Sequence, residues 1–214
     1  MADPVPGPGE ELNEGPTTVP RQAATVIVLR AGDDALEVLL VKRTPQARFM
    51  GGAWVFPGGA VKDAEGDDDA AHRAAALREL AEEAGIALSG AQALVPFSRW
   101  ITPVEVKIRF DTRFYLAAMP SGQEPVVDGE EIVDHAWLEP QAALRAHEAG
   151  ELLLVFPTIK HLEQLAAFAS VTELLAYARG REVEPVLPRV VIMDGASAGG
   201  EVARIVLPGE PGYE

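Results

Sequence analysis

The run Arg78-Glu79-Leu80-Ala81-Glu82-Glu83-Ala84-Gly85-Ile86 constrains this chain more than any other stretch. Ala70, Ala71, Ala74, Ala75, Ala76, Leu77, Leu80 and Ala81 are strong helix formers and Gly85 supplies a C-terminal stop, so the run reads as the second half of a helix. On that helix Glu79 lies three and four residues before Glu82 and Glu83, which puts all of these carboxylates on one face. Like charges at this spacing repel, and a solvated face would normally alternate them with Lys or Arg. A cation is therefore expected there. Mg²⁺ or Mn²⁺ fits, because hard ions take oxygen ligands and share their coordination with water and substrate phosphates.

Just upstream, Phe56-Pro57-Gly58-Gly59 follows a short apolar run and opens a turn where backbone can approach a metal or a phosphate. Strand, glycine turn, loop and acidic helix, in that order, resemble the Nudix hydrolase signature: Gly, five residues, Glu, seven residues, Arg-Glu, an aliphatic residue, any residue, Glu-Glu, any residue, Gly, an aliphatic residue. Gly59 and Glu65 have the first spacing, whereas twelve residues, 66–77, separate Glu65 from Arg78. The excess is expected within residues 65–69, where an Asp-rich loop lengthens at little cost and Asp69 caps the helix. The role of Glu65 stays open at that spacing. The competing reading is an acidic surface helix behind a glycine loop.

The resemblance implies an α/β fold, a Nudix-like α/β/α sandwich with a mixed central sheet and an acidic catalytic helix. It implies Glu79 and Glu83 as metal ligands, Glu82 as a third ligand or the base, and Gly59 as a carbonyl ligand. Arg78 is expected to orient Glu79 through an ion pair. Several enzymes of the family have a functional glutamate six residues before a Trp. Glu131 has that spacing from Trp137, making it a candidate metal ligand or general base, with Glu130 as competitor and a solvated acidic loop end as the plain alternative.

Leu39-Leu40-Val41-Lys42-Arg43-Thr44, followed by Arg48, Gly52 and the glycine turn, is similar to an extra signature of coenzyme A diphosphatases within the family. Val41 replaces its Thr, and Thr44 its small residue. Arg43 and Arg48 then grip phosphate oxygens bidentately, or are simply exposed loop charges beside a turn glycine. Trp100-Ile101-Thr102-Pro103 and Arg109-Phe110-Asp111-Thr112-Arg113-Phe114-Tyr115 resemble a pair found in the same subgroup. Strand alternation puts Arg109, Asp111 and Arg113 on one face, either to contact substrate or as an ion-pair ladder. His72, His135, His147 and His161 lack metal-ligand spacing and read as surface or packing residues.

The expected substrate is thus a small nucleoside diphosphate-linked molecule, favoured as CoA or an acyl-CoA, with ADP-ribose or NADH as the nearest alternative. A nucleotide-sensing protein that kept the fold and lost turnover is the alternative of another class. The net charge of −15 argues against binding nucleic acid or an anionic membrane. An absence of cysteine excludes disulfides and thiol nucleophiles. Neither a signal segment nor a membrane-spanning run is evident, so cytoplasmic residence is the default.

Residues 1–21, rich in Pro, Gly and Glu, read as a disordered leader, 22–183 as the catalytic domain and 184–214 as a C-terminal extension. Strands are expected at 23–30 and 35–43 with a turn at 31–34, then at 53–56, 94–102, 105–118 and 131–138. Helices are expected at 140–148, 157–167 and 171–178. Residues 190–194 and 201–207 suggest a terminal hairpin, which leaves sheet closure, a homodimer contact or mobility open.

Overall fold

The computed structural model describes residues 12–13, 15–33, 35–47, 49–193 and 202–213. Its centre is the antiparallel hairpin of β1 (Arg21–Ala31) and β2 (Leu36–Arg43), with Leu29 opposite Val38. Gly32 N–H donates to the Ala35 carbonyl at 2.8 Å, inside the expected turn, of which Asp34 lies outside the described residues. Ile27, Leu29, Leu36, Val38 and Leu40 enter one apolar cluster, and Ala24, Val26, Val28, Leu39 and Val41 enter another. Because successive side chains of a strand point to opposite faces, this pattern demands cover on both sides.

The hairpin opens into a fork. Past Val38, β2 leaves β1 and pairs with β3 (Trp54–Val55), with Val41 opposite Val55. The N-terminal part of β1 pairs instead with β4 (Gly58–Ala60), with Thr25 opposite Gly58 and Ala24 opposite Gly59. Pro57 turns the corner between them, and its carbonyl accepts from Val26 N–H at 2.9 Å. The glycine turn is therefore hydrogen-bonded into the sheet. A Cβ on Gly58 would lie 2.5 Å from the Ala24 carbonyl oxygen and 2.7 Å from Thr25 Cα, so no larger residue fits.

On the other side of β1 runs β6 (Phe110–Ala118), parallel to it, and β5 (Val95–Ile101) is antiparallel to β6. A further strand, β7 (Ile132–Leu138), is antiparallel to β2, and the short β8 (Pro185–Val186) is parallel to β5. The sheet is mixed. One face is covered by α1 (Asp69–Ala84) through Leu80 and through Ala75, Ala76 and Ala84, small residues that let the helix lie close. The other is covered by α2 (Pro140–Glu148), α3 (Phe156–Leu165) and α4 (Val171–Arg179) through Ala143, Leu162, Leu165, Leu174 and Ala178. This is the expected α/β/α sandwich.

The strand expected from residue 105 begins only at Phe110. Pro103 has no N–H to give to a ladder, and its carbonyl accepts from Val106 N–H at 3.2 Å, which makes residues 102–109 a looped corner closed by Thr102 N–H to the Phe110 carbonyl at 2.9 Å. Described residues ahead of β1 lie along this corner: Asn13 N–H donates to the Glu105 carbonyl at 2.7 Å and Thr18 Oγ1 to the Lys107 carbonyl at 3.2 Å. At the other end, β9 (Arg189–Met193) and β10 (Val202–Val206) pair antiparallel as a separate two-stranded sheet, with Val190 opposite Ile205. Among the described residues no helix is long and apolar enough to cross a membrane.

Candidate active site

Two caps hold α1 in place. At its start the carboxylate of Asp68 accepts from Ala71 N–H at 2.8 Å, so the cap is Asp68, one residue earlier than expected. At its end Gly85 takes the left-handed conformation (φ 65°) and donates to the Ala81 carbonyl at 3.1 Å. With Leu80 and Ala84 turned into the sheet, Glu79 and Glu83 face the fork holding Gly58 and Gly59.

Glu83 is the buried member of the acidic set, 3% exposed. It accepts from Gly58 N–H at 2.8 Å and lies 4.0 Å from the Arg43 guanidinium. Burial pushes its carboxyl up to about 8 against the opposing Gly58 hydrogen bond, and the Glu79 and Glu131 charges push the same way while Arg43 opposes. Glu131 is exposed, yet close enough for its charge to be felt at Glu83. Its carbonyl accepts from Thr44 N–H at 2.8 Å, and its own N–H, like that of Glu130, donates to Asp128. Glu79 is seated against Gly59 so closely that a Cβ there would be 2.5 Å from its carboxyl carbon.

Arg78 is the hub of the outer side. It donates to Glu79 at 2.5 Å, to Glu65 at 3.0 Å, to Glu82 at 3.2 Å and to the Ala60 carbonyl at 3.0 Å. The Arg78 hydrogen bond outweighs desolvation and holds the Glu65 carboxyl below the usual range. Despite the longer spacing, Glu65 thus reaches Arg78. A short 3₁₀ turn (Asp63–Glu65) aims it, and of the twelve intervening residues 66–68 form the loop and 69–77 are helical. Glu82 stays on the rim, 3.9 Å from Lys62.

Arg43 stands at the site with its Nε buried and without a hydrogen-bond partner among the described residues. Arg48 lies outside the described residues. Arg109 and Arg113 are drawn elsewhere. Arg109 is buried and donates to the carbonyls of Thr102 at 3.0 Å and Thr18 at 2.5 Å. Arg113 pairs with Asp69 at 3.1 Å, fourteen residues before Glu83 and so roughly 21 Å away along α1. Asp111 is held by Arg99 from β5 at 2.8 and 2.7 Å. Neither Arg99 nor the Gly58 N–H is among the groups expected from the sequence. Two consecutive glycines were the signal for the latter, since one must offer its amide while the other gives room.

The groups that could hold a cation are hard oxygens: the Glu79 and Glu83 carboxylates and the backbone carbonyl of Gly59, the residue against which Glu79 is seated. Among the described residues no group of three or more acidic or His side chains forms a ready-made cage. One or two carboxylates completed by substrate phosphates and water is the arrangement Mg²⁺ favours, and the burial of the Glu83 carboxylate near that of Glu79 fits a cation there.

A family model described as the NUDIX domain matches residues 19–156. The chain belongs to the Nudix family. Caenorhabditis elegans nudix hydrolase 7 is 30% identical over 182 residues, covering 68% of this chain and 60% of that protein. Human acyl-coenzyme A diphosphatase NUDT19 is 31% identical over 126 residues, covering 56% of this chain and 32% of the human protein. The Nudix chain described here therefore spans less than two thirds of either relative. Among solved structures, a Nudix hydrolase from Alicyclobacillus acidocaldarius superposes with a TM-score of 0.68 at 29% identity, over 74% of this chain and 96% of the other.

Proposed function

We propose that this Nudix protein is a divalent-metal-dependent pyrophosphohydrolase that splits CoA or an acyl-CoA into 3′,5′-ADP and the corresponding phosphopantetheine. The observation that carries the reaction type is Glu83, a buried carboxylate held on the Gly58 amide beside Glu79, with its nearest guanidinium 4.0 Å away. Such a cluster is costly unless a cation belongs in it. Glu79 and Glu83, the Gly59 carbonyl and, as a third carboxylate, Glu82 are the groups that would hold Mg²⁺ or Mn²⁺. When bound, the metal neutralises charge on the diphosphate and lowers the pKa of a coordinated water.

The chain's own residues supply the rest. Arg78 fixes Glu79 against Gly59 and ties the loop after β4 to α1 through Glu65. Glu131, exposed yet within electrostatic range of Glu83, is the base that takes a proton from the attacking water, with Glu82 as the alternative. Water oxygen bonds to one phosphorus, the bond from that phosphorus to the bridging oxygen breaks, and two phosphate monoesters leave. The Arg43 guanidinium, its Nε lacking a partner, has donors to offer phosphate oxygens. Support for CoA comes from the run through Arg43 and Arg48 and from the similarity to an acyl-CoA diphosphatase.

A mass-spectrometric product scan tests both levels. Purified protein with Mg²⁺ or Mn²⁺ is offered CoA, acetyl-CoA, ADP-ribose, NADH and a dinucleoside polyphosphate, with Glu83→Gln as control. The expected result is 3′,5′-ADP from CoA, abolished by EDTA. AMP from ADP-ribose or NADH alone would retain the chemistry and overturn the CoA assignment. Nucleotide binding without any product would favour a sensor.

A further inference from the structure

Beyond the catalytic carboxylates, the described residues enclose an apolar cavity of about 80 Å³ at the same end of the sheet. Phe49, Met50, Trp100, Ile101 and Phe156 form its main walls, and Ile205 of the terminal hairpin contributes from outside the segment matched to the family model. The loop that joins β2 to β3 connects the two places. At its base Arg43 faces Glu83 and Thr44 N–H is tied to the Glu131 carbonyl. Near its tip Phe49 packs on Phe110 with ring centroids 5.6 Å apart, while Met50 is held at a positive φ of 53°. Side chains other than Gly rarely adopt that conformation, so the packing at the tip fixes Met50 where it is.

The strand ladder sets the separation. Phe114, which lines the cavity, is opposite Thr25, and Thr25 is opposite Gly58. Two strand spacings, roughly 10 Å, thus lie between the cavity wall and the glycine turn. Phe114 belongs to the cluster under α2 to α4, whereas Glu83 belongs to α1, so a substrate occupying both would pass around the end of the sheet beneath the β2–β3 loop. An extended flexible arm between diphosphate and thioester suits that path. The cavity has room for on the order of three methylene-sized groups, the far end of an acyl chain whose first carbons lie in its mouth.

We propose, building on the CoA reading above, that this cavity is the acyl pocket, receiving a short to medium acyl chain of an acyl-CoA, and that the C-terminal hairpin acts through Ile205 as a chain-length determinant. The C-terminal extension then belongs to the substrate site rather than to a subunit contact. Each further methylene buried in such a pocket discriminates by about tenfold or more until the pocket is full.

The test compares wild type with Ile205→Trp, which fills the cavity, and Ile205→Ala, which enlarges it. The first readout is kcat/KM on CoA, acetyl-CoA, hexanoyl-CoA and decanoyl-CoA. The second is calorimetric binding of hexanoyl-pantetheine, which has no diphosphate and reports the pocket whether or not turnover occurs. The hexanoyl-CoA to CoA ratio of kcat/KM is expected to fall about tenfold in Ile205→Trp and the preferred chain to lengthen in Ile205→Ala, with hexanoyl-pantetheine binding lost only in the former. Turnover of CoA with an unaltered chain-length profile in both variants would overturn the acyl pocket and leave the diphosphatase standing. Hexanoyl-pantetheine binding that Ile205→Trp abolishes, in a protein that cleaves no CoA ester, would support the pocket and overturn the reaction. Absence of both binding and turnover in wild type would overturn both.

Discussion

His161 offers a quantitative test of how the layer beneath the cavity is built. It lies on α3, 1% exposed, packed among the rings of Phe56, Phe97, Trp100 and Phe114, with the Phe114 centroid 4.2 Å away. Its Nδ1 is 2.6 Å from the Pro157 carbonyl and its Nε2 2.6 Å from Ser98 Oγ, so the neutral tautomer with the proton on Nδ1 satisfies both. Burial pushes the imidazole down to about 4, against the Pro157 carbonyl, from an ordinary value of 6.5. The unfolded chain therefore takes up a proton between pH 6.5 and 4 that the folded protein refuses. The stabilisation is complete above the unfolded value and is lost as pH falls through this window. From about pH 7.5 to about pH 4.5 the loss is about 2 to 3 kcal/mol. Urea unfolding of wild type and of His161→Gln at both pH values isolates it, because the other titrating groups are shared. The variant is expected to be the less stable protein at pH 7.5, with the gap closing by about 2 to 3 kcal/mol at pH 4.5. A gap independent of pH would refute the buried neutral imidazole.

Glu83→Gln is expected to lower kcat by about 10³ or more while the circular dichroism spectrum stays unchanged, because it removes a charge needed only with the cation in place. In EDTA the same variant should melt no lower than wild type at pH 8, since the raised carboxyl makes ionised Glu83 a cost to the metal-free fold. Gly59→Ala should displace Glu79, whose carboxyl carbon would lie 2.5 Å from the new Cβ, and a Mn²⁺ titration should show weakened metal binding. Arg78→Lys keeps the charge but cannot span Glu65, Glu79 and the Ala60 carbonyl together. Activity is expected to drop roughly 10- to 100-fold, read as kcat at saturating metal.

What was legible in the sequence followed local rules. The span of α1 from its alanines and Gly85, the β1–β2 hairpin from a Gly-Asp turn, and α2 from Pro140 to Glu148 all depend on neighbours a few residues away. The shared helical face likewise brought Glu79 and Glu83 together at the fork. Arg113 shows where this stops, because its partner Asp69 is set by how α1 crosses the sheet, 44 residues away in sequence. Arg109 is claimed by carbonyls of two loops, one of them 91 residues upstream. Glu65 illustrates the reverse: its spacing from Arg78 departs from the family pattern, yet a single 3₁₀ turn restores the contact. The forking of β1 from β2 had no local signal, since it depends on a third and a fourth strand wedging between them.

That fork has an evolutionary corollary. A glycine turn carried on a surface loop can drift with each change of ligand, but this one is stitched to two strands, so shifting it means unzipping the seam of the sheet. Diversification is then channelled to the periphery, to the tip of the β2–β3 loop and the terminal hairpin, which lie outside the ladders that hold the turn. New leaving groups can be tried there one loop at a time.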